Sequence, residues 1–345
     1  MTFDKLEEKY KTVGIIGYGS IAQRHLKTLA ALLPNCHFVI RTRQLSPTIP
    51  KHIKNRITIT SKINDVLRHK PNLTIIATPA NEHSIKSKEI IQTSELILIE
   101  KPISASVTDA MKIWSVAETH PKKVIVGYNL RFTKGLEIIR DAMSKNRIGR
   151  IYRFDMTVGQ SVDQWRTDRD FKLTTSCQRS KGGGVLRELS HEIDMMQLLF
   201  GLPEQFAAIR GRAKFTELDV EDTAFIHGNF MGGNTYRERC EFKMHVLGTV
   251  RMDFTRIDPA RNVVVQGISG TIEWDLLGGR ITIKTSKKTV ELLNEPNDLT
   301  MSYTRMFADI MQGNMDNACD VPQAIETIKI IEKIEKSYPM MTLRT

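Results

Sequence analysis

A chain of 345 residues is long enough for a sizeable core and about two domains. At 41% hydrophobic and 26% charged it reads as a soluble globular protein, and no apolar run approaches the ~18 residues of a membrane span. The net charge of +11 comes without a basic run interleaved with aromatics, which argues against a nucleic-acid surface; it fits anionic ligands and equally a basic solvated surface.

Residues 1–11 are polar and charged, with no apolar signal region. Residues 13–16 form a short apolar run that predicts one buried strand, and Gly17 and Gly19 break it. Ala22, Leu26, Leu29, Ala30 and Leu33 then recur at helical spacing until Pro34. Strand, glycine turn and helix in direct succession are the context in which G-x-G-x-x-A binds a dinucleotide. Gly17 allows the tight turn, and Gly19, lacking a Cβ, lets a pyrophosphate approach the backbone. The amides of Ser20 and Ile21 open the helix, where its dipole and N–H groups favour an anion.

Residues 37–40 predict a second strand. In NAD-binding folds an acidic residue commonly ends this strand and holds the ribose hydroxyls. Here it ends in Arg41-Thr42-Arg43, whose guanidinium groups suit a 2′-phosphate. NADP is therefore the predicted cofactor, with NAD as the alternative. Residues 57–60, 73–77, 96–99 and 124–126 predict four more strands, alternating with helices. The alternation means an α/β, doubly wound parallel sheet through residue 127. The Gly17 loop, Arg41, Thr78 and Lys101 fall at the carboxyl ends of strands, where such sheets bind ligands.

The pattern changes after Gly127. A helix is predicted over 133–146, and from Arg150 the period becomes two, with Tyr152, Phe154, Met156 and Val158 on one face. Similar alternation at 223–230, 236–247, 250–257, 270–276 and 280–285 predicts a large, mostly antiparallel open sheet with one face on a core. Helices over 185–200, 300–312 and 322–336 complete an α+β second domain. The predicted division is 1–127 and 128–345, with C-terminal helices able to pack back on the first domain. Cys36, Cys177, Cys240 and Cys319 are far apart, show no metal spacing, and read as reduced thiols of a cytoplasmic protein.

GIIGYGSIAQRH at 14–25, ATPANEH at 77–83, EKP at 100–102, GYNLRF at 127–132, GGG at 182–184 and HEID at 191–194 stand in the order found in one family. Together they resemble the Gfo/Idh/MocA oxidoreductases. The resemblance implies a Rossmann domain followed by an open sheet that joins subunits into a dimer or tetramer. It implies hydride transfer between a nicotinamide cofactor and a sugar-like alcohol or ketone. It also implies cofactor contacts from Thr78, Asn81, His83, Glu100 and Lys101, and catalysis by Lys101 and His191. WRTDRDF at 165–171 is similar to the branch found in cell-surface sugar pathways. It adds Trp165 and Arg166 to Lys101, Arg131 and His191 as substrate contacts.

Oxidising a secondary alcohol needs a base for the hydroxyl proton, and reduction needs the matching acid. The Lys101 ammonium at a strand end can polarise the substrate oxygen. His191 falls in a helical run, with Glu188 at i−3 and Asp194 at i+3 placed to orient its ring. Family members commonly carry an aspartate four residues before this histidine. Here that position is Arg187, and whether Glu188 or Arg187 takes the acidic place stays open. Arg131, Arg166, Arg169, Arg179 and Lys181 predict a negatively charged substrate, a carboxylate or a nucleotide phosphate. The alternatives on this fold are a non-catalytic NAD(P)-binding regulator and a reductase of a linear tetrapyrrole or a diol.

Overall fold

The computed structural model describes residues 3–120, 123–165, 170–231, 245–296 and 298–342. The chain divides into two units, Met1–Asn129 with Tyr303–Ile328, and Leu130–Ser302 with Lys329–Thr345.

The first unit is built on β1 (Thr12–Ile16), β2 (His37–Arg41), β3 (Ile57–Thr60), β4 (Leu73–Ile76), β5 (Leu96–Ile99) and β6 (Val124–Val126). All six are parallel, in the order β6-β5-β4-β1-β2-β3. β4 and β5 are buried at every position, as expected of apolar strands covered on both faces. The strand order reverses between β1 and β4, the switch point at which such sheets open a crevice. The register sets Arg41, Ile16, Ile76 and Ile99 in one cross-strand row. The residues just past that row therefore leave the sheet at one level. Helix Ser20–Leu32 lies against the sheet through Ala22, His25, Leu26, Leu29 and Ala30. The segment Tyr303–Ile328 completes the unit. The Tyr10 hydroxyl donates to the Met311 carbonyl at 3.3 Å, and a two-residue strand, Cys319–Asp320, pairs antiparallel with β6.

The second unit carries β7 (Ile151–Gly159), β8 (Pro203–Arg212), β9 (Thr223–Met231), β10 (His245–Asp253), β11 (Ala260–Gly267), β12 (Gly270–Asp275), β13 (Arg280–Thr285) and β14 (Thr289–Asn294). Their order is β14-β13-β12-β11-β7-β10-β9-β8, with Met340–Thr342 added outside β8. The pairings are antiparallel except β7 with β10 and β8 with Met340–Thr342. Helix Ser190–Phe200 is seated on this sheet by Phe200, whose ring stacks on Phe154 of β7 with centroids 3.8 Å apart.

Three sequence expectations change. The break predicted between 247 and 250 is absent, because β10 runs through it and ends at Asp253; most of the strand predicted at 236–247 falls on residues 232–244, which lie outside the described residues. Tyr152 is 43% exposed rather than inward, because the register with β11 slips between Gln266 and Gly267 and leaves a bulge opposite. The helix expected over 185–200 is broken at Leu189 (φ −99°, ψ 24°) into Val185–Glu188 and Ser190–Phe200.

Candidate active site

β1 runs into Gly17-Tyr18-Gly19 and then the helix Ser20–Leu32. Gly17 sits at φ +97°, and a Cβ there would lie 2.5 Å from the Ala77 carbonyl oxygen, so glycine is required. Its N–H donates to the Arg41 carbonyl at 2.9 Å, tying the turn to the end of β2. Gly19 caps the helix without a side-chain cap, and a Cβ there would meet nothing within 4 Å. Ser20 is exposed and Ile21 half-buried at this end. A helix N-terminus with open space above its glycine is built to receive an anion.

The loop after β2 is fastened to the same turn. Gln44 Nε2 donates to the Tyr18 carbonyl at 3.0 Å, and the Tyr18 hydroxyl donates to the Thr48 carbonyl at 3.1 Å. Thr42 is buried, and its hydroxyl accepts the Gln44 N–H at 3.1 Å, so it shapes the loop. Arg41 Nε donates to the Ser61 carbonyl at 3.2 Å. Arg43, 68% exposed, pairs with Glu82 at 3.3 Å. Past β4, the Thr78 hydroxyl oxygen is enclosed with no hydrogen-bond partner, and Asn81 is exposed in the turn Ala80–Glu82. The open cap at Gly19 and the unpartnered Thr78 hydroxyl fit a bound dinucleotide.

His83 and Glu100, given to the cofactor by the resemblance, belong to the unit's internal frame. His83 is 1% exposed, with Nδ1 3.0 Å from the Ile103 carbonyl and Nε2 2.8 Å from the Thr78 carbonyl. The ring bridges the turn after β4 to the segment after β5. Burial lowers its pKa. A neutral ring donates to only one of the two carbonyls at a time. Glu100 is 5% exposed, with Oε1 2.6 Å from His25 Nε2 and Oε2 accepting the Lys101 N–H at 3.1 Å. Lys101 itself is half-buried, two residues past β5, and precedes Pro102. His25 is a residue the motif reading passes over. Its signal was present: a polar side chain on the apolar stripe of Ala22, Leu26 and Leu29.

In the second unit, His191 is 8% exposed at the start of Ser190–Phe200. The break at Leu189 places Glu188 and His191 on two successive helices rather than on one. Arg187 is buried, with both terminal nitrogens on the Glu335 carboxylate. Glu188 is thus the acid of this short helix, half-buried at its end. Asp194 is 2% exposed on its side chain and takes both Arg131 Nε (2.8 Å) and Arg131 Nη2 (2.6 Å) on its two oxygens. Glu192 takes Arg261 of β11 in the same bidentate way, at 2.7 and 3.1 Å. Sequence reasoning did not single out Glu192 or Arg261. The two acids that follow His191 in its helix, Glu192 and Asp194, are therefore each neutralised by an arginine.

Two of the arginines named as substrate contacts have protein partners of their own. Arg131 and Arg179, expected to meet an anionic substrate, are engaged inside the unit. Arg179 Nε donates to the Asp219 carbonyl at 2.9 Å, and its backbone N–H donates to the Asp219 carboxylate at 3.1 Å. Asp194 holds Arg131 in addition to any duty toward His191. Trp165 packs edge-on to Phe254 at 4.9 Å, and its indole N–H is enclosed without a partner. Arg166, Arg169 and Cys240 lie outside the described residues. Among the described residues, Cys36, Cys177 and Cys319 are buried thiols in no disulfide, and no group of three or more His, Cys, Asp or Glu side chains could hold a metal. No helix among them is long and apolar enough to cross a membrane.

Comparison with known proteins agrees with this architecture. The Gfo/Idh/MocA signature described as "Oxidoreductase family, NAD-binding Rossmann fold" matches residues 11–128. Its companion, "Oxidoreductase family, C-terminal alpha/beta domain", matches residues 140–339. Glucose-6-phosphate 3-dehydrogenase of Bacillus subtilis is 24% identical over 266 residues, which are 69% of this chain and 72% of the relative. Levoglucosan dehydrogenase, solved in complex with NADH and levoglucosan, has a TM-score of 0.76 at 17% identity, covering 94% of this chain and 96% of that one. UDP-N-acetylglucosamine 3-dehydrogenase GnnA from Acidithiobacillus ferrooxidans has a TM-score of 0.74 at 15% identity, covering 95% and 97%. At such identities the structural likeness shows the fold. The family matches span both the dinucleotide sheet and the second sheet, and on them the chain, an NAD(P)-binding dehydrogenase or reductase, belongs to the Gfo/Idh/MocA oxidoreductase family.

Proposed function

We propose an NADP-dependent dehydrogenase or reductase acting on a hydroxyl or keto carbon of a sugar derivative that carries an anionic group. The observation that carries the reading is Lys101 at the crevice end of β5, in the same unit as the Gly17-Tyr18-Gly19 turn. The bound nicotinamide supplies the hydride acceptor or donor. The residues that would hold the dinucleotide are the Ser20 and Ile21 amides at the Gly19 cap, with Thr78 and Asn81 beside them. The Lys101 ammonium polarises the substrate oxygen. His191 moves the hydroxyl proton, as base in oxidation and acid in reduction.

Arg41 and Arg43 select the 2′-phosphate. The Arg43–Glu82 pair is exposed on the arginine side. Such pairs contribute about 0–1 kcal/mol, so a phosphate displaces Glu82 at small cost. Hydrogen bonds to charged groups contribute about 1.5–3 kcal/mol, so NADPH is expected to bind at least about tenfold more tightly than NADH. Fluorescence titration of both cofactors measures this. Equal affinities, or a preference that survives Arg41→Ala with Arg43→Ala, would refute the role of the loop.

The charge on the substrate is supported by Lys181 and by the sugar phosphate named in the Bacillus subtilis relative. NADPH absorbance with a panel of neutral sugars, sugar acids, sugar phosphates and nucleotide sugars tests it. Turnover is expected from the charged members. Equal turnover of neutral sugars overturns the anionic assignment, and no turnover across the panel overturns the sugar class.

A further inference from the structure

We propose that the buried His25–Glu100 pair is a positioning device for Lys101, set inside the first unit. The inference rests on the role given to Lys101 above.

The two Glu100 oxygens serve two different elements. Oε1 takes His25 Nε2 from the helix Ser20–Leu32 at 2.6 Å, and Oε2 takes the Lys101 N–H at 3.1 Å. One carboxylate thus links the helix that opens at Gly19 to the residue that carries the ammonium. The Glu100 N–H donates to the Ile76 carbonyl of β4 at 2.9 Å, so the main chain is held on both sides of the Glu100 side chain. Glu100 is 5% exposed, and each of its oxygens already meets a partner inside the unit.

The surroundings also hold the ring in place. A carboxylate offers no proton, so His25 Nε2 carries the hydrogen. Nδ1 is then a bare lone pair, and it has no partner. The imidazole itself sits in an aromatic wall, its centroid 5.6 Å from that of Tyr303 and 5.3 Å from that of Phe307, both edge-to-face. The backbone is also fitted to the carboxylate. A Cβ at Gly127, just past β6, would lie 2.8 Å from Glu100 Oε1. Helix, glycine and aromatic wall together hold Glu100 in one place, and the Lys101 backbone with it.

The test uses the full chain with His25→Leu, His25→Gln, Glu100→Gln and Lys101→Ala. Leucine removes the donor and keeps apolar bulk; glutamine returns an N–H to Oε1. His25→Leu is expected to lower kcat by about 10- to 100-fold, the effect of a small misplacement of a reacting group. His25→Gln is expected to recover most of that loss. NADPH affinity, measured by fluorescence, should change little in either. The imidazole N–H proton bound to Glu100 should give a downfield proton resonance in the wild type that moves upfield in Glu100→Gln. Should His25→Leu fail to fold, Glu100→Gln carries the kcat and NADPH measurements. Equal losses in the leucine and glutamine variants leave only a structural role and overturn the inference. A loss confined to NADPH binding overturns it too, by making Glu100 a cofactor contact. If Lys101→Ala keeps its turnover, the proposed role of Lys101 fails and takes this inference with it. If Lys101→Ala loses turnover while His25→Leu keeps it, this inference alone fails.

Discussion

His191→Ala is expected to lower turnover at least about a hundredfold while NADPH affinity stays near normal, because removing a general acid–base group costs about 10²–10⁴ in rate. His191 is in the second unit and the dinucleotide turn in the first, so cofactor binding and proton transfer should separate cleanly in this variant. Lys101→Ala should lose a similar factor, with a modest weakening of NADPH binding. The two losses should not add in the double variant, since groups serving one proton transfer behave as a unit. Steady-state kinetics on the substrate from the panel, with NADPH titrations alongside, supply both numbers. Near-normal turnover of His191→Ala would make this a framework histidine. The proton would then pass to Glu188 or Lys101, since both Asp194 oxygens are held by Arg131.

The second large effect is on stability. Arg131→Met should destabilise the protein by about 3–5 kcal/mol, because it strands the Asp194 carboxylate in a buried site. The side chains are 5% and 2% exposed, so water cannot take over the arginine's place. Arg131→Met with Asp194→Leu should recover most of the loss, since an apolar pair of similar volume is often neutral relative to a buried ion pair. Urea unfolding of the three proteins decides it. If Arg131→Met is nearly as stable as wild type and instead loses turnover only on anionic substrates, the guanidinium is a substrate contact after all.

The first unit was legible in the sequence nearly strand for strand. Its strands are apolar runs bounded by turn residues, and a parallel sheet covered on both faces needs nothing subtler. The second unit was harder to read where pairing, not pattern, decides the outcome. β8 buries little beyond Ala208 and Arg210, so it carries no alternation to detect. β11 reads as the unbroken run Val263-Val264-Val265. The slip at Tyr152 depends on β11, more than a hundred residues away in the chain. The break at Leu189 likewise has no glycine or proline to announce it.

The site divides along the same line. The Gly17-Tyr18-Gly19 turn and the strand-end positions of Thr78 and Lys101 follow from local order. The partners of the charges do not. Arg131 with Asp194, Arg261 with Glu192, and His25 with Glu100 are 63, 69 and 75 residues apart. A charged residue in sequence looks the same whether it meets a ligand or an opposite charge across the fold. That is why the sequence does not disclose the ion-pair and hydrogen-bond partners of Arg131 and Glu100.

The return of Tyr303–Ile328 to the first unit has a consequence for the order in which the protein is made. A chain emerging from the ribosome completes all six parallel strands by Val126, with the dinucleotide turn already encoded. It then lacks the Met311 carbonyl that receives the Tyr10 hydroxyl, the rings that wall in His25, and the short strand that covers the β6 edge. Through synthesis of the second sheet from β7 to β14, the nascent first unit carries an uncovered sheet edge and an apolar notch, the features that invite mispairing. Only when residue 328 has cleared the exit tunnel can both be closed, so the vulnerable interval is set by translation speed as much as by sequence.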